Sequence, residues 1–175
     1  MTLLPSWLGG TAVANGASVA DYEAVAAMVA DTIERWGRID IIIANAGVHR
    51  DRRIEKLEED DFDITFDVSV KGSFNMVRHA WPHMVEQGYG KILLTTSGSV
   101  FGQKSYWLYG SAKAAILGMV GNLRHEGKAH GINTMGRKFI KFRSQSKRAQ
   151  RYIRSWLFLS TVILRSALND FTAGR

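Results

Sequence analysis

The chain has 175 residues, a formal net charge of +7, no cysteine and only two prolines. This length suits a single domain with a sizeable core, and the ordinary hydrophobic and charged fractions, 46% and 22%, exclude global disorder. The lack of cysteine excludes a disulfide scaffold, a thiolate metal site and a cysteine nucleophile.

The positive charge is concentrated at the carboxyl end of the sequence. Residues 137–175 contain ten Lys and Arg side chains against one acid, Asp170, and therefore carry a net charge of +9. The first 136 residues then carry a net charge of −2. This contrast predicts a globular domain over 1–136 and a basic tail over 137–175. Nucleic-acid binding by the tail would depend steeply on salt, but the tail has no recognisable binding motif, so we do not expect it.

No segment has the pattern of a targeting or membrane-spanning element. The first ten residues lack the basic stretch that begins a signal peptide. The longest apolar stretch of the tail, 156–164, is about half of the ~20 residues that a spanning helix needs. We therefore expect an intracellular, soluble protein without a membrane span.

Hydrophobic periodicity predicts alternating helices and strands. In chain order the pattern indicates a helix over 18–36, a buried strand over 39–44, a loop over 45–55 and a helix that begins with the acidic stretch 58–63. It then indicates a helix over 68–87, a second buried strand over 91–96, a Gly/Ser-rich loop over 97–105 and a helix over 106–127. Ser18 is the expected N-cap of the first helix, and Pro82 indicates a kink or an end in the helix over 68–87. This alternation is typical of an α/β fold with a parallel sheet.

Two groups of residues follow the buried strands, at the place where open α/β sheets bind their ligands. Asn45, Ala46 and Gly47 come directly after the first buried strand. A turn of such small residues would let a flat ligand approach the backbone. An ordinary strand-to-loop turn is the alternative interpretation.

Ser97, Tyr109 and Lys113 form the second group, after the second buried strand. Tyr109 and Lys113 are four residues apart on one predicted helix and share a face, so the ammonium would lower the pKa of the phenol. Such a tyrosine can act as a general acid or base near neutral pH, while a Ser hydroxyl holds a carbonyl oxygen. The Tyr-x-x-x-Lys spacing alone is weak evidence, and a solvated helix face is the alternative.

Further motifs occur in a fixed order around these two groups. They are Gly37-Arg38-Ile39-Asp40 before the first strand, Lys71-Gly72-Ser73-Phe74 in the middle helix and Gly90-Lys91-Ile92 at the second strand. The chain resembles the short-chain dehydrogenases/reductases over residues 12–134. The resemblance rests on these motifs together with Asn45-Ala46-Gly47, Ser97 and Tyr109-Gly110-Ser111-Ala112-Lys113. The stretches 45–53 and 78–84 look most like the hydroxyacyl-CoA dehydrogenase part of the multifunctional enzymes of fatty-acid β-oxidation.

The resemblance implies a Rossmann-type three-layer fold and an NAD(P)-dependent oxidoreductase. Hydride would pass between the nicotinamide of NAD or NADP and a small hydroxy or keto substrate, with 3-hydroxyacyl-CoA as one candidate. Tyr109 would exchange the proton with the substrate oxygen, and Ser97 would position that oxygen. Lys113 would lower the pKa of Tyr109 and hold the nicotinamide ribose.

The resemblance also implies a cofactor surface, an assembly and a location. Asn45, Ala46 and Gly47 would line the adenosine side of the cofactor. The helices over 68–87 and 106–127 would pair chains into a homo-oligomer. The compartment would be the cytoplasm, or the peroxisome if the likeness to the multifunctional enzymes holds.

The sequence also departs from the family pattern. The Gly-rich phosphate loop is missing, since Gly9, Gly10 and Gly16 have neither its spacing nor a preceding strand. Ser69 stands where the family usually has the catalytic Asn of its proton relay, which puts the relay in doubt. We therefore expect a partial fold without the first βαβ unit and the last strand, impaired binding of NAD or NADP, and doubtful activity.

The end of the resemblance coincides with the change in charge. No proline follows Pro82, so the Pro-Gly turn with which the family contacts the nicotinamide has no counterpart. A frame change, a retained intron, a fusion of gene models and a real extension are all open explanations of residues 137–175.

A second class of function is a non-catalytic interaction module, in which the two pairing helices survive as an association surface. Replacing Tyr109 by Phe would separate the two classes, because only an enzyme would lose turnover. A metal site is not expected. His79 and His83 are four residues apart on a predicted helix, but no third ligand accompanies them, so we favour a packing role.

Overall fold

The computed structural model describes residues 2–4, 12–50, 52–138 and 161–164. Its strands are β1 Thr2–Leu4, β2 Ala12–Ala14, β3 Ile41–Ala44, β4 Gly90–Thr96, β5 Ile132–Lys138 and β6 Thr161–Leu164. Its helices are α1 Tyr22–Trp36, α2 Glu59–Phe66, α3 Gly72–Gln87 and α4 Trp107–Gly127, with a π-helical turn at Asp67–Lys71 and short 3-10 turns at Ile54–Lys56, Gly98–Phe101 and Lys128–His130. Helices and strands alternate as the periodicity predicted.

The central sheet has four strands in the order β5-β4-β3-β6. β3, β4 and β5 are parallel, and Ile92 of β4 lies between Ile42 of β3 and Thr134 of β5. β6 pairs with the other edge of β3 in the antiparallel direction. β1 and β2 form a separate antiparallel pair. The predicted α/β fold with a parallel sheet is confirmed, with one antiparallel strand added from the basic tail.

The helices cover the sheet with one apolar core. α3 contacts β3 and β4, α4 contacts β4 and β5, and α1 packs against α3. Because parallel strands are buried on both faces, β3 and β4 consist mostly of Ile, Leu and Thr. The core is formed by fully buried side chains from each of these layers, among them Val25, Ile42, Met76, Leu94 and Ile116.

The first helix begins later than the sequence suggested. α1 starts at Tyr22, and the carboxylate of Asp21 caps it by accepting the backbone N–H of Ala24 at 3.0 Å. The prediction that Ser18 is the N-cap was therefore wrong, because its hydroxyl instead accepts from Ala20 in the preceding turn, at 3.3 Å. Gly37 ends the helix in the left-handed conformation, as expected for a C-cap.

The two helices predicted from 58–63 and over 68–87 are joined into one less regular helical segment. α2, the π-helical turn and α3 follow one another without a break from Glu59 to Gln87. Pro82 lies inside α3 and does not end it. The irregularity lies instead in the π-helical turn, where the N–H of Gly72 bonds to the carbonyl of Asp67. Single π-turns inside α-helices are frequent at functional sites, and this one contains Ser69.

Several predictions fall partly or wholly outside the described residues. Gly9 and Gly10 lie outside them, as does most of the basic tail apart from the end of β5 and β6. The division of the chain at residue 136 stays a prediction. None of the described helices is both long enough and apolar enough to cross a membrane. Within the described ranges no group of three or more metal-ligating side chains occurs, and His79 packs on the ring of Tyr22 at 4.2 Å.

Candidate active site

Tyr109 and Lys113 lie in the first two turns of α4, next to the carboxyl end of β4. The hydroxyl of Thr96, the last residue of β4, donates to the backbone carbonyl of Lys113 at 3.2 Å. The ammonium of Lys113 donates to the carbonyl oxygen of Thr95 at 2.9 Å and lies 5.5 Å from the centroid of the Tyr109 ring. The predicted pair therefore shares a face, and that face is held against the sheet rather than solvated.

Lys113 is buried, with only 2% of the residue exposed. Burial disfavours the charged form of an amine, and it lowers the pKa of Lys113 from 10.5 to about 8. No carboxylate of the described residues forms an ion pair with this ammonium. The fold thus places a poorly solvated cation beside a phenol ring.

The segment after β3 approaches this ammonium very closely. A Cβ atom on Gly47 would lie 3.3 Å from Nζ of Lys113 and 3.5 Å from Oγ of Ser69. The side chain of Asn45 accepts a hydrogen bond from the hydroxyl of Thr95 at 3.0 Å. Ala46 lies between the two and is half-buried. A side chain at position 47 would therefore crowd both groups, because the backbone of Gly47 itself forms this wall of the site.

Ser69 is completely buried in the π-helical turn. Its hydroxyl has no hydrogen-bond partner among the described residues, although its backbone carbonyl accepts from Ser73 at 2.7 Å. A buried hydroxyl without a partner costs free energy of folding unless a water or a ligand satisfies it. Since it points to the space beside Gly47 and Lys113, Ser69 is a candidate to hold a polar atom there.

Ser97 lies where β4 ends, as predicted. Its hydroxyl oxygen accepts the backbone N–H of Ser99 at 3.2 Å and caps the 3-10 turn Gly98–Phe101. The hydroxyl proton remains for another acceptor. The structure therefore places Ser97 at the same end of the sheet as Lys113 and leaves it able to donate.

Sequence reasoning missed three residues of this region. Thr95 connects the two predicted groups, because its hydroxyl reaches Asn45 and its carbonyl binds Lys113. The parallel register, in which Ala44 pairs with Leu94, brings Asn45 beside Thr95 and could have revealed this contact. His49 and Tyr106 pack against Tyr109, with ring centroids at 3.8 Å and 6.1 Å. No spacing in the sequence signals these ring contacts.

A cleft of about 540 Å³ opens beside the site. Residues from the loop after β3, the loop after β4 and the first turns of α4 line it, among them Arg53, Ile54, Lys104, Tyr106 and Trp107. Because Tyr106 also touches Tyr109, the cleft and the Tyr109–Lys113 pair are neighbours. A small molecule in the cleft would lie next to the phenol.

The chain is similar in sequence to one large family of known proteins. A family model described as short chain dehydrogenase matches residues 4–144. The chain is 41% identical over 126 residues to peroxisomal multifunctional enzyme type 2 of Mus musculus, covering 71% of this chain and 17% of the mouse protein. It is 29% identical over 127 residues to the 3-oxoacyl-(acyl-carrier-protein) reductase FabG of Thermotoga maritima, covering 71% and 52%.

A solved structure is similar as well. The crystal structure of the apo form of LigO from Sphingobium superposes with a TM-score of 0.67 and 33% identity, over 70% of this chain and 46% of LigO. The chain thus spans about half or less of the length of these relatives. Since the family model covers well over half of the 175 residues, the chain belongs to the short-chain dehydrogenase family.

Proposed function

We propose that the chain is an NAD(P)-dependent oxidoreductase that interconverts a carbinol and a carbonyl group of a small substrate. The observation that carries this proposal is the buried ammonium of Lys113, 5.5 Å from the ring of Tyr109 and facing the backbone of Gly47. An oxidoreductase needs a group that donates and accepts a proton, and this group must lie beside the surface that binds the cofactor. Tyr109 would be that group, and the backbone at Gly47 would be part of that surface. Membership of the dehydrogenase family supports the same chemistry.

Two observations agree with the binding of NAD or NADP, the cofactor that this family implies. Gly47 leaves open a space that a Cβ atom would fill, and the buried hydroxyl of Ser69 faces that space without a partner. Asn45, Ala46 and Gly47 would line the adenosine side, and Lys113 would hold the nicotinamide ribose. When bound, the nicotinamide supplies the acceptor for the hydride of the carbinol carbon, or its donor in the reverse direction.

Tyr109 is proposed to exchange the proton. In oxidation the phenolate takes the proton of the carbinol oxygen as the hydride leaves the carbon, and in reduction the phenol returns it. The nearby ammonium of Lys113 favours the phenolate form. Ser97 would donate its hydroxyl proton to the substrate oxygen, and Ser69 would hold a water in the proton path.

The experiment that tests the proposal most directly is the substitution Tyr109→Phe, which keeps the ring and its packing but removes the hydroxyl. We expect the turnover of keto substrates with NADH or NADPH to fall by about 10²–10⁴-fold, the size of a lost acid–base group. Urea denaturation of both chains, measured in parallel, separates loss of turnover from loss of folded protein. Equal turnover of the variant and the parent chain would contradict the proposal and favour a non-catalytic module.

Ser69→Ala tests the proton path separately. Removing this hydroxyl should lower turnover and should change the free energy of unfolding by less than about 1 kcal/mol. Loss of turnover without loss of stability is the signature of a functional group. Unchanged turnover would remove Ser69 from the mechanism and leave the roles of Tyr109 and Lys113 intact.

Cofactor choice and affinity are part of the proposal. Because the phosphate-binding glycine pattern has no match in the sequence, we expect weak binding of both NADH and NADPH. Titration followed by nicotinamide fluorescence and calorimetry measures both affinities in the same buffer. Micromolar affinity for either one would overturn the expectation of impaired binding and identify the preferred cofactor.

We further propose 3-hydroxyacyl-CoA as the substrate class and the peroxisome as the location. The support is the likeness to a peroxisomal multifunctional enzyme and to a 3-oxoacyl reductase. Reduction of acetoacetyl-CoA with NADH or NADPH tests the first proposal. Fluorescence microscopy of the tagged chain tests the second, and a diffuse cytoplasmic signal would contradict it.

Self-association is proposed through the outer faces of α3 and α4. Phe74 on α3 is 49% exposed and Leu117 on α4 is 42% exposed, although both are large apolar side chains. Sedimentation of Phe74→Ser and Leu117→Ser should show a smaller species than the parent chain. Phe101→Ser is the control, because Phe101 is 89% exposed but lies outside both helices. A monomeric parent chain would contradict the proposal.

A further inference from the structure

The imidazole of His49 contacts two tyrosine rings at the candidate site. Its centroid is 3.8 Å from that of Tyr109, at an angle of 44°, and 4.8 Å from that of Tyr106, at 81°. His49 is nevertheless exposed to solvent. A molecule whose reacting oxygen is at the Tyr109 hydroxyl therefore has this imidazole as its neighbour.

The position of His49 is fixed by its own loop. Arg50, the next residue, lies with its guanidinium 3.4 Å from the carboxylate of Asp61, and Arg52 lies 3.0 Å from the same carboxylate. Asp61 is buried and also accepts the backbone N–H of Glu58 at 3.2 Å. The loop is thus attached to the start of α2 at two points, which holds the imidazole against the tyrosines.

Ser105 also indicates that the contact is built into the fold. It is the one non-glycine residue with a positive φ, 67°, among those described, and it directly precedes Tyr106. Residues held in such conformations concentrate at ligand sites, where the surrounding structure imposes them. The turn orients Tyr106 so that it both contacts His49 and lines the adjoining cleft.

The surroundings of His49 favour a ligand that accepts hydrogen bonds. The ammonium of Lys113 lies 5.5 Å from the centroid of the Tyr109 ring, and Arg50 follows His49 in the chain. Asp61, the buried acid at the start of α2, is already engaged by two guanidinium groups. An imidazole N–H donates to a carbonyl or carboxylate oxygen, and the nearby ammonium of Lys113 favours such an acceptor over a cation.

We propose that His49 is a specificity-determining residue that donates a hydrogen bond to a second oxygen of the substrate, on the carbon β to the reacting carbon. The rings of Tyr109 and His49 are in van der Waals contact, so their polar atoms would bind two neighbouring oxygens of one small molecule. A β-hydroxy or β-oxo carbonyl compound offers two such oxygens with a single carbon between them. The rest of the molecule would extend past Tyr106 into the cleft. This inference rests on the proposed oxidoreductase activity.

The test compares ethyl 3-oxobutanoate with 2-pentanone, which lacks the second carbonyl. The measured quantity is the ratio of kcat/KM for the two substrates with NADH or NADPH. His49→Phe keeps a ring against the two tyrosines but removes the N–H, so this ratio should fall roughly tenfold, the size of one hydrogen bond. His49→Gln supplies an amide donor and should restore most of the ratio. His125→Phe, an exposed histidine far along α4, is the matched control.

Two outcomes overturn the inference. They are an unchanged ratio in His49→Phe, and a lowered ratio that His49→Gln does not restore, since the latter would mean that His49 only packs. A second readout needs no turnover. The NMR signals of the His49 ring, assigned by their loss in His49→Phe, should shift with ethyl 3-oxobutanoate and not with 2-pentanone.

The two readouts separate the inference from the function on which it rests. A parent chain that turns over neither substrate refutes the oxidoreductase activity, and the NMR titration then decides the role of His49 alone. Equal shifts with both compounds, or none with either, would refute that role.

Discussion

Replacing Lys113 by Met should make the protein more stable at neutral pH, although it removes a group of the candidate site. Burial lowers the pKa of Lys113 from 10.5 to about 8, so the folded state carries a penalty for holding the charge. The gap between the two pKa values corresponds to about 3 kcal/mol of unfolding free energy. Loss of the hydrogen bond to Thr95 costs about 1 kcal/mol, which leaves a net gain of about 2 kcal/mol at pH 7.

The pH dependence separates these two contributions. Below about pH 8 the ammonium is charged in both states, and the parent chain carries the full penalty. Between pH 8 and 10.5 the unfolded chain binds more protons than the folded chain, so the stability of the parent rises with pH. Above this window the amine is neutral in both states and the penalty is gone. The lost hydrogen bond, by contrast, lowers the stability of Lys113→Met at every pH.

Urea denaturation followed by tryptophan fluorescence, at intervals from pH 7 to 10.5, measures the difference between the two chains. The advantage of Lys113→Met should shrink by about 3 kcal/mol across this range and change sign near its upper end. Lys128→Met is the control, since the Lys128 side chain is exposed and its curve should parallel that of the parent. Parallel curves for the parent and Lys113→Met would refute the depressed pKa.

Three further substitutions test other contacts. Gly47→Ala should lower turnover, because the new Cβ would lie 3.3 Å from the ammonium of Lys113 and crowd it. The free energy of unfolding in urea should change by less than about 0.5 kcal/mol. Gly110→Ala places a Cβ 2.8 Å from the backbone carbonyl of Ser99, and calorimetry should show about 2 kcal/mol of lost stability. Asp61→Ala removes the buried carboxylate that Arg50 and Arg52 both contact, and it removes one of the two hydrogen bonds of the capping box at the start of α2. The free energy of unfolding in urea should therefore fall by about 2 kcal/mol.

The parts of the fold that depend on local sequence were predictable. β3 and β4 lie within one or two residues of their expected ranges, because runs of Ile, Leu and Thr of that length suit strands buried on both faces. Gly37 ends α1 as expected, since a C-cap needs the left-handed conformation that glycine adopts easily. The placement of Tyr109 and Lys113 on one helix face followed from their spacing alone.

The details that depend on tertiary packing were not predictable. Ser18 and Asp21 are both good N-caps by chemistry, and the structure uses the one that directly precedes Tyr22. The π-helical turn at 67–71 has no marker in the sequence, whereas Pro82, the expected irregularity, is accommodated inside α3. The contact between His49 and Tyr109 joins a loop to a helix, and such side-chain neighbours follow only once the chain is folded.

The net charge of the sequence changes near residue 137, but the residues that join the sheet do not end there. The strand β6 shows why. Residues 161–164, Thr-Val-Ile-Leu, lie within the basic tail, yet they pair antiparallel with β3. An edge strand presents unpaired N–H and C=O groups, and any β-prone segment that reaches it gains hydrogen bonds whatever the charge of its flanks. Net charge describes how a segment interacts with water and ions, while pairing depends on a few apolar residues and a free edge. Because β3 leads directly into Asn45, the tail strand also supports the backbone on which the candidate site is built.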